Sequence, residues 1–223
     1  KNPSSTARRS RVHIEKRFEV LRTAVSGSMS KFYMARDREN DDIIGLKVAD
    51  PEKSKLFESR FKELKKPAEG DIAMAIEHPY VVKTLEHGTT REREAYIVME
   101  YIKGPGLHNL IYNNDSILDG KRLSLIRQMA EALGAVHDAG FVHRDVCPRN
   151  YICSPDSESI KLFDFGLTLP DQPSFRQPGN RTGTPLYMAP EVVRRKWTDR
   201  RHDIFSLGVT LYELCTFTLP WPK

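Results

Sequence analysis

His143-Arg144-Asp145-Val146-Cys147-Pro148-Arg149-Asn150, then Ile160-Lys161-Leu162-Phe163-Asp164-Phe165-Gly166, is the stretch on which the reading of this chain turns. Ile160–Phe163 reads as a short strand that delivers Asp164 to a turn, and Gly166 lets the backbone bend sharply beside it. Asp-Phe-Gly alone would indicate no more than a turn after a strand. Upstream, Leu123, Ile126, Met129, Ala130, Leu133, Val136 and His137 recur at helical spacing, and Gly140 stops that helix just before His143.

In this order and at this spacing, the two segments resemble the catalytic and metal-binding loops of the protein kinase family, H-R-D-x-x-x-x-N and D-F-G. The resemblance implies a two-lobed α+β fold, with a small β-rich N-lobe, a mainly helical C-lobe and ATP in the cleft between them. It implies that Asp145 orients a substrate hydroxyl and accepts its proton, and that Asn150 and Asp164 hold Mg²⁺ through hard oxygen ligands. Farther on, Gly183-Thr184-Pro185-Leu186-Tyr187-Met188-Ala189-Pro190-Glu191 is similar to the substrate-side loop ending in A-P-E. Thr184 would then hydrogen-bond Asp145. Asp203, in D-I-F-S-L-G, resembles the buried aspartate that holds the H-R-D backbone, and a buried carboxylate without a partner would be costly.

The first half of the chain fits the small lobe. Phe18–Val25 and Lys31–Arg36 read as a hairpin, Ile43–Val48 as a third strand, and Val81–Leu85 with Ala95–Glu100 as two more. Lys55–Lys66 carries apolar residues at helical spacing, and Glu69–Ile76 continues it up to His78-Pro79. Gly104-Pro105-Gly106 marks the boundary, giving an N-lobe and hinge over 18–102 and an incomplete C-lobe over 103–223. Lys47, in I-G-L-K, is similar to the family's V-A-I-K lysine that positions the ATP phosphates, with Glu69 as its carboxylate partner and Glu58 and Glu63 as competitors. Pro67 and Gly70 flank Glu69 and would loosen its helix. The resemblance further implies a hinge at Met99, Glu100, Tyr101 and Ile102, with backbone groups of Glu100 and Tyr101 reading adenine, Ile152 beneath the base and Phe32 above it.

Three places depart from the family pattern. The phosphate-covering loop runs Val25-Ser26-Gly27-Ser28-Met29-Ser30-Lys31-Phe32, so only Gly27 remains of three glycines, with Val25 and Ser30 in the outer places. Fewer glycines restrict the close approach of backbone N–H groups to phosphates. Cys147 stands where serine/threonine kinases have a lysine, and Arg149 resembles the arginine that tyrosine kinases carry in this loop, where it would supply the missing cation. Asn180 occupies the usual phosphoacceptor place beside Arg144, leaving Thr182 as the nearest hydroxyl. The expected activity is transfer of the ATP γ-phosphate to serine or threonine of protein substrates. A nucleotide-binding scaffold without catalysis and a tyrosine-specific enzyme are the alternatives.

Composition agrees with a globular chain: 223 residues, 39% hydrophobic and 29% charged, with no apolar run near the roughly 20 residues of a membrane span. No secretory signal opens the sequence, and three cysteines without metal-ligand spacing read as reduced thiols, so a cytoplasmic location is expected. The basic residues of 1–17 show no periodicity and no interleaved aromatics, so they read as a disordered leader, and nucleic acid is not an expected partner. The first residue is Lys1, which points to a piece of a longer product. At the other end the family's later helices, and the arginine that would pair with Glu191, are missing. Asp203–Cys215 is apolar nearly all round, so it should be buried. Trp221 and its neighbours would then leave an apolar patch for a partner or a further C-terminal segment to cover.

Overall fold

The computed structural model describes residues 9–26, 30–179 and 181–221. The chain divides into two compact units, Lys1–Ala75 with Lys83–Tyr101, and Ile76–Val82 with Ile102–Lys223.

The first unit is built on six strands: β1 (Arg9–Val12), β2 (Phe18–Ser26), β3 (Ser30–Asp37), β4 (Ile43–Ala49), β5 (Thr84–Thr90) and β6 (Ala95–Glu100), in the order β1-β5-β6-β4-β3-β2. Antiparallel register pairs Phe32 with Lys47 and Lys47 with Ile97, and likewise Met34 with Gly45 and Gly45 with Met99. Paired residues share a sheet face and successive residues alternate. The other face therefore carries Ala35, Ile44, Leu46, Tyr96 and Val98, which with Phe18 form a buried cluster. A one-residue slip would exchange the two sets, so burial of this cluster fixes Lys47 on the opposite face.

Residues 9–17 are part of this unit rather than a disordered leader. β1 pairs in parallel with β5, a single helical turn α1 (Ile14–Arg17) follows, and Val12 and Ile14 pack against the buried cluster. Arg17 donates to both Asp37 oxygens (2.7 and 3.2 Å) and both Glu86 oxygens (2.7 and 3.0 Å), and its guanidinium lies 4.7 Å from the Phe18 ring centre. Burial alone would lower the Arg17 pKa, but the Glu86 and Asp37 hydrogen bonds hold it above the ordinary arginine range. Asp37 also accepts the Glu39 N–H (3.0 Å) and Glu86 the Tyr96 hydroxyl (2.6 Å), so Arg17 loss would not strip either acid bare. An Arg17→Met chain should still lose about 2–4 kcal/mol of stability, read as a fall of about 5–10 °C in thermal midpoint. A midpoint unchanged from wild type would show that this network contributes nothing.

Between β4 and β5, Asp50 caps α2 (Pro51–Glu58) by accepting the N–H groups of Glu52 and Lys53. The helical spacing read over Lys55–Lys66 therefore begins earlier than expected and breaks sooner, into a 3₁₀ turn over Ser59–Leu64 with Phe61 off helical geometry. α3 (Glu69–Met74) follows. The expected strand Val81–Leu85 is split. Val81 bridges Leu162 within the second unit, and β5 starts only at Thr84.

The second unit holds α4 (Leu107–Tyr112), α5 (Arg122–Asp138), β7 (Phe141–Val142), β8 (Tyr151–Cys153), β9 (Ile160–Leu162), β10 (Leu169–Pro170), α6 (Pro190–Val193) and α7 (Arg201–Thr216). β8 and β9 form one antiparallel pair, β7 and β10 another. α5 buries Leu125, Met129, Ala132, Leu133 and Val136, while Leu123 and Ala130 are exposed, a phase shifted from the one the sequence suggests. Gln128 explains part of the shift: it is buried to bond Glu158 O (2.9 Å) and Ile160 N (2.9 Å), tying α5 to β9.

α7 is not buried all round. Ile204 and Tyr212 are exposed on one side, and Asp203, Ser206, Leu207, Val209, Thr210 and Leu214 are buried on the other. Trp221 does not stand clear. It stacks on Phe205 at 6.3 Å with nearly parallel rings, beside Cys147, Tyr187 and Val209. Among the described residues no helix is long and apolar enough to cross a membrane.

Candidate active site

In the first unit, β4 presents Lys47 on the face away from the apolar cluster, and the side chain is 4% exposed. Its ammonium pairs with the Glu69 carboxylate at the start of α3 and lies 5.3 Å from the Phe32 ring centre. Glu58 and Glu63, the competing carboxylates, are exposed on the preceding segment. Pro67 does not loosen α3, because the helix begins only at Glu69 after an extended Ala68. Gly70 is required inside it: a Cβ there would lie 2.2 Å from His87 Cγ, so only glycine lets α3 approach β5 this closely. Phe32, Lys47 and Met99 thus share one sheet face. The Glu100 N–H is committed to Lys83 O (2.9 Å). Tyr101 is exposed. Val25 lies in β2 in register with Phe32, and Gly27 lies outside the described residues.

In the second unit, Asp203 organises the loop. Its two oxygens accept the backbone N–H groups of His143 and Arg144, each at 2.8 Å, and are met by His137 Nε2 (2.9 Å) and His202 Nε2 (3.2 Å). Burial would raise the Asp203 pKa, but the His137 and His202 contacts hold it well below the carboxylate range. The pinned backbone sets Asp145, half-buried, with Oδ1 accepting both the N–H (2.7 Å) and the hydroxyl (2.8 Å) of Thr184. Gly183 permits this approach: its φ is +118°, and a Cβ would lie 2.7 Å from Arg144 O. Asn150 donates from Nδ2 to Asp145 O (2.7 Å) and Oδ2 (3.1 Å). A carboxylate oriented by three donors is fixed for accepting a proton from a further hydroxyl.

Both Nδ2 contacts of Asn150 are turned inward, so Oδ1 is the atom left for a cation. Tyr151 pairs with Leu162 and Phe163 N bonds Asn150 O (3.0 Å), which sets Asp164 one residue past the position opposite Asn150. Asp164 has a left-handed backbone (φ 69°) and accepts the Gly166 N–H (3.2 Å). An amide oxygen and a carboxylate on neighbouring strand ends are the hard donors Mg²⁺ takes, with water and phosphate completing its shell, so these residues fit the ion. Among the described residues no cluster of three or more His, Cys, Asp or Glu side chains is placed to hold a metal. Ile152 is half-buried on β8, bridging Gly106.

Cys147 is buried, its sulfur 3.6 Å from the Thr184 hydroxyl. Arg149 points to solvent. Burial pushes the Cys147 thiol up to about 12 and the Cys153 thiol likewise to about 12. At pH 8 only about one Cys147 in ten thousand would then be thiolate, the reactive form. Iodoacetamide at pH 8 should therefore label exposed Cys215 and spare the other two, as read by peptide mass spectrometry. Equal labelling of Cys147 would show that the loop opens.

The sequence did not reveal His137 and His202 as partners of Asp203. Nor did it reveal the bond from the Tyr187 hydroxyl to Glu213 (2.5 Å), although it did single out Thr182 as the hydroxyl nearest Arg144, whose guanidinium donates to Thr182 Oγ1 (2.9 Å). No local pattern encodes the contacts it missed.

Residues 18–223 match the family model described as the protein kinase domain. Curated relatives include the serine/threonine-protein kinase pkn3 of Myxococcus xanthus, 30% identical over 87% of this chain and 37% of its own length. AtPK2/AtPK19 of Arabidopsis thaliana is 32% identical over 92% of this chain and 42% of its own. PknB of Mycolicibacterium smegmatis is 32% identical over 94% and 34%. The chain thus spans 34–42% of the length of these relatives. With a sheet unit carrying the Lys47–Glu69 pair and a helical unit carrying the Asp145 loop, this chain belongs to the protein kinase family and has its two-lobed α+β fold.

Proposed function

We propose that this chain transfers the γ-phosphate of ATP to serine and threonine hydroxyls of protein substrates. The observation that carries the reading is the Asp145 carboxylate, held by Thr184 and Asn150 on a backbone pinned by Asp203. A substrate hydroxyl presented to Asp145 has its lone pair aimed at the phosphorus and loses its proton to the carboxylate as the new P–O bond forms. The bond to the ADP oxygen breaks in the same displacement. Lys47, oriented by Glu69, holds the phosphates, and Asn150 Oδ1 and Asp164 would hold Mg²⁺. When bound, the ion neutralises charge on the phosphate oxygens. Serine/threonine specificity is supported by the Gly183-Thr184-Pro185 form of the substrate-side loop and by the names of the relatives.

A second reading, a nucleotide-binding scaffold without transfer, draws on Cys147. A neutral buried thiol stands beside Thr184 where a cation is expected, and a thiol contributes no positive charge to a transferring phosphoryl group. Incubation with radiolabelled ATP, Mg²⁺ and a mixed protein substrate, followed by phospho-amino-acid analysis, separates the readings. Label in phosphoserine and phosphothreonine, lost on chelation, is the expected result. Phosphotyrosine alone, or no label despite measured ATP binding, would overturn it.

A further inference from the structure

Arg194, Arg195 and Lys196 are exposed in series directly after α6, and Arg200 is exposed close by. Among the described residues none of these four enters an ion pair, whereas Arg201 is tied to Asp199 at 2.8 Å and Arg176 to Asp171 at 2.7 Å. The cations are displayed by a fixed turn. Arg194 N bonds Pro190 O (3.0 Å), Arg195 N bonds Val192 O (3.0 Å), Lys196 N bonds Glu191 O (2.8 Å), and Arg195 O accepts from Gly179 N (3.1 Å). Glu191, half-buried, is the nearby acid, and the Trp197 face is covered by the Arg176 guanidinium at 5.2 Å.

This turn is continuous with the residues that touch Asp145. From Thr184 the chain passes through a 3₁₀ turn (Pro185–Tyr187), two extended residues and α6, so Arg194 lies at most roughly 25 Å away, the reach of about seven residues of extended peptide. Leu186 and Val193, 52% and 44% exposed, stand between.

We infer that this surface docks an acidic stretch of the substrate polypeptide, lying within about seven residues of the phosphorylated hydroxyl. The inference rests on the kinase reading above. Unneutralised cations call for an anionic partner, and the exposed apolar side chains between them and Thr184 suit a polypeptide better than a phosphate backbone. The cations also sit on the same chain segment as the hydroxyl-receiving site, where a substrate must lie.

The test uses the full chain without ATP, so that docking is read apart from transfer. Fluorescence anisotropy compares a serine peptide flanked by glutamates with the same peptide carrying glutamines. The wild type should bind the acidic peptide more tightly, with affinity falling as salt rises. The triple variant Arg194→Ala/Arg195→Ala/Lys196→Ala should bind it about tenfold more weakly, as three exposed charge pairs together would give. The glutamine peptide should be unaffected, and the charge-keeping Arg194→Lys/Arg195→Lys variant should retain most of the affinity, which separates lost charge from misfolding. In the transfer assay the same triple variant should raise KM for the acidic peptide about tenfold with kcat within about twofold. Equal binding of both peptides by wild type, an unchanged triple variant, or stronger binding of duplex DNA or phosphatidylserine vesicles than of acidic peptide would each overturn the inference. Acidic-peptide binding that depends on these residues, in a chain that transfers no phosphate, would instead overturn the kinase reading and leave the docking surface standing.

Discussion

Asp145→Asn is expected to lower kcat for phosphoryl transfer about a thousandfold while leaving ATP affinity within about twofold. The two effects separate because of how the carboxylate is held. Thr184 donates twice to Oδ1, and an asparagine Oδ1 accepts both bonds unchanged. Asn150 keeps its bond to the residue 145 carbonyl (2.7 Å) and loses only the longer contact to Oδ2 (3.1 Å), where an amide would set donor against donor. Local geometry therefore survives, and what disappears is the capacity to take a proton. Nucleotide contacts assigned to Lys47 lie on a separate element and are untouched. Thr184→Val removes one of those donors and should cost closer to tenfold. Radiolabel incorporation under steady state reads kcat, and equilibrium binding reads affinity. Transfer by Asp145→Asn within about tenfold of wild type would remove Asp145 from the proton-accepting role.

What the sequence made legible follows from which interactions are local. The H-R-D and D-F-G segments are short and ordered, so their residues can be named before any fold is known. β-Forming segments bounded by polar turns placed Ile43–Val48 and Ala95–Glu100 correctly, because composition and turn residues are properties of a short stretch taken by itself. Residues 9–17 were misread for the complementary reason. Their composition is that of a solvated tail, and their order comes from Asp37 and Glu86, 20 and 69 positions from Arg17. The phase of α5 failed likewise. Leu123 looks like a core residue by type, yet it is 80% exposed, because Gln128 is drawn inward by a strand about 30 positions away. His137 was visible as the last member of an apolar face, but its partner Asp203 lies 66 positions on. Periodicity reports burial, and it carries no information about which polar group meets which.

Asp203→Ala should be among the most destabilising single changes in the chain, costing about 3–5 kcal/mol and lowering the melting midpoint by about 10 °C. The side chain is fully buried, and it satisfies two backbone N–H groups and two imidazoles at once. Alanine leaves the His143 and Arg144 N–H groups without acceptors in a site closed to water, at about 1–3 kcal/mol each. The loss also reaches the chemistry. Arg144 holds a left-handed backbone at φ 72°, which costs a non-glycine residue about 1–2 kcal/mol, and the paired acceptors of Asp203 hold it there. Released, that backbone relaxes and carries Asp145 away from Thr184, so activity should fall with stability rather than independently of it. The pH dependence has a definite sign. Because the folded pKa of Asp203 is depressed below 3.8, its carboxylate stabilises the fold at every pH above that value and the contribution is lost only as pH falls through the folded value. The gap between wild type and Asp203→Ala that this carboxylate sets should thus stay flat from pH 8 to pH 5 and close only in strong acid, as thermal melts across that range would read. A variant that melts within about 2 °C of wild type and transfers phosphate normally would mean that the loop is held elsewhere. Asp203→Asn, which keeps one acceptor oxygen and turns the other into a donor facing an N–H, should fall between the two.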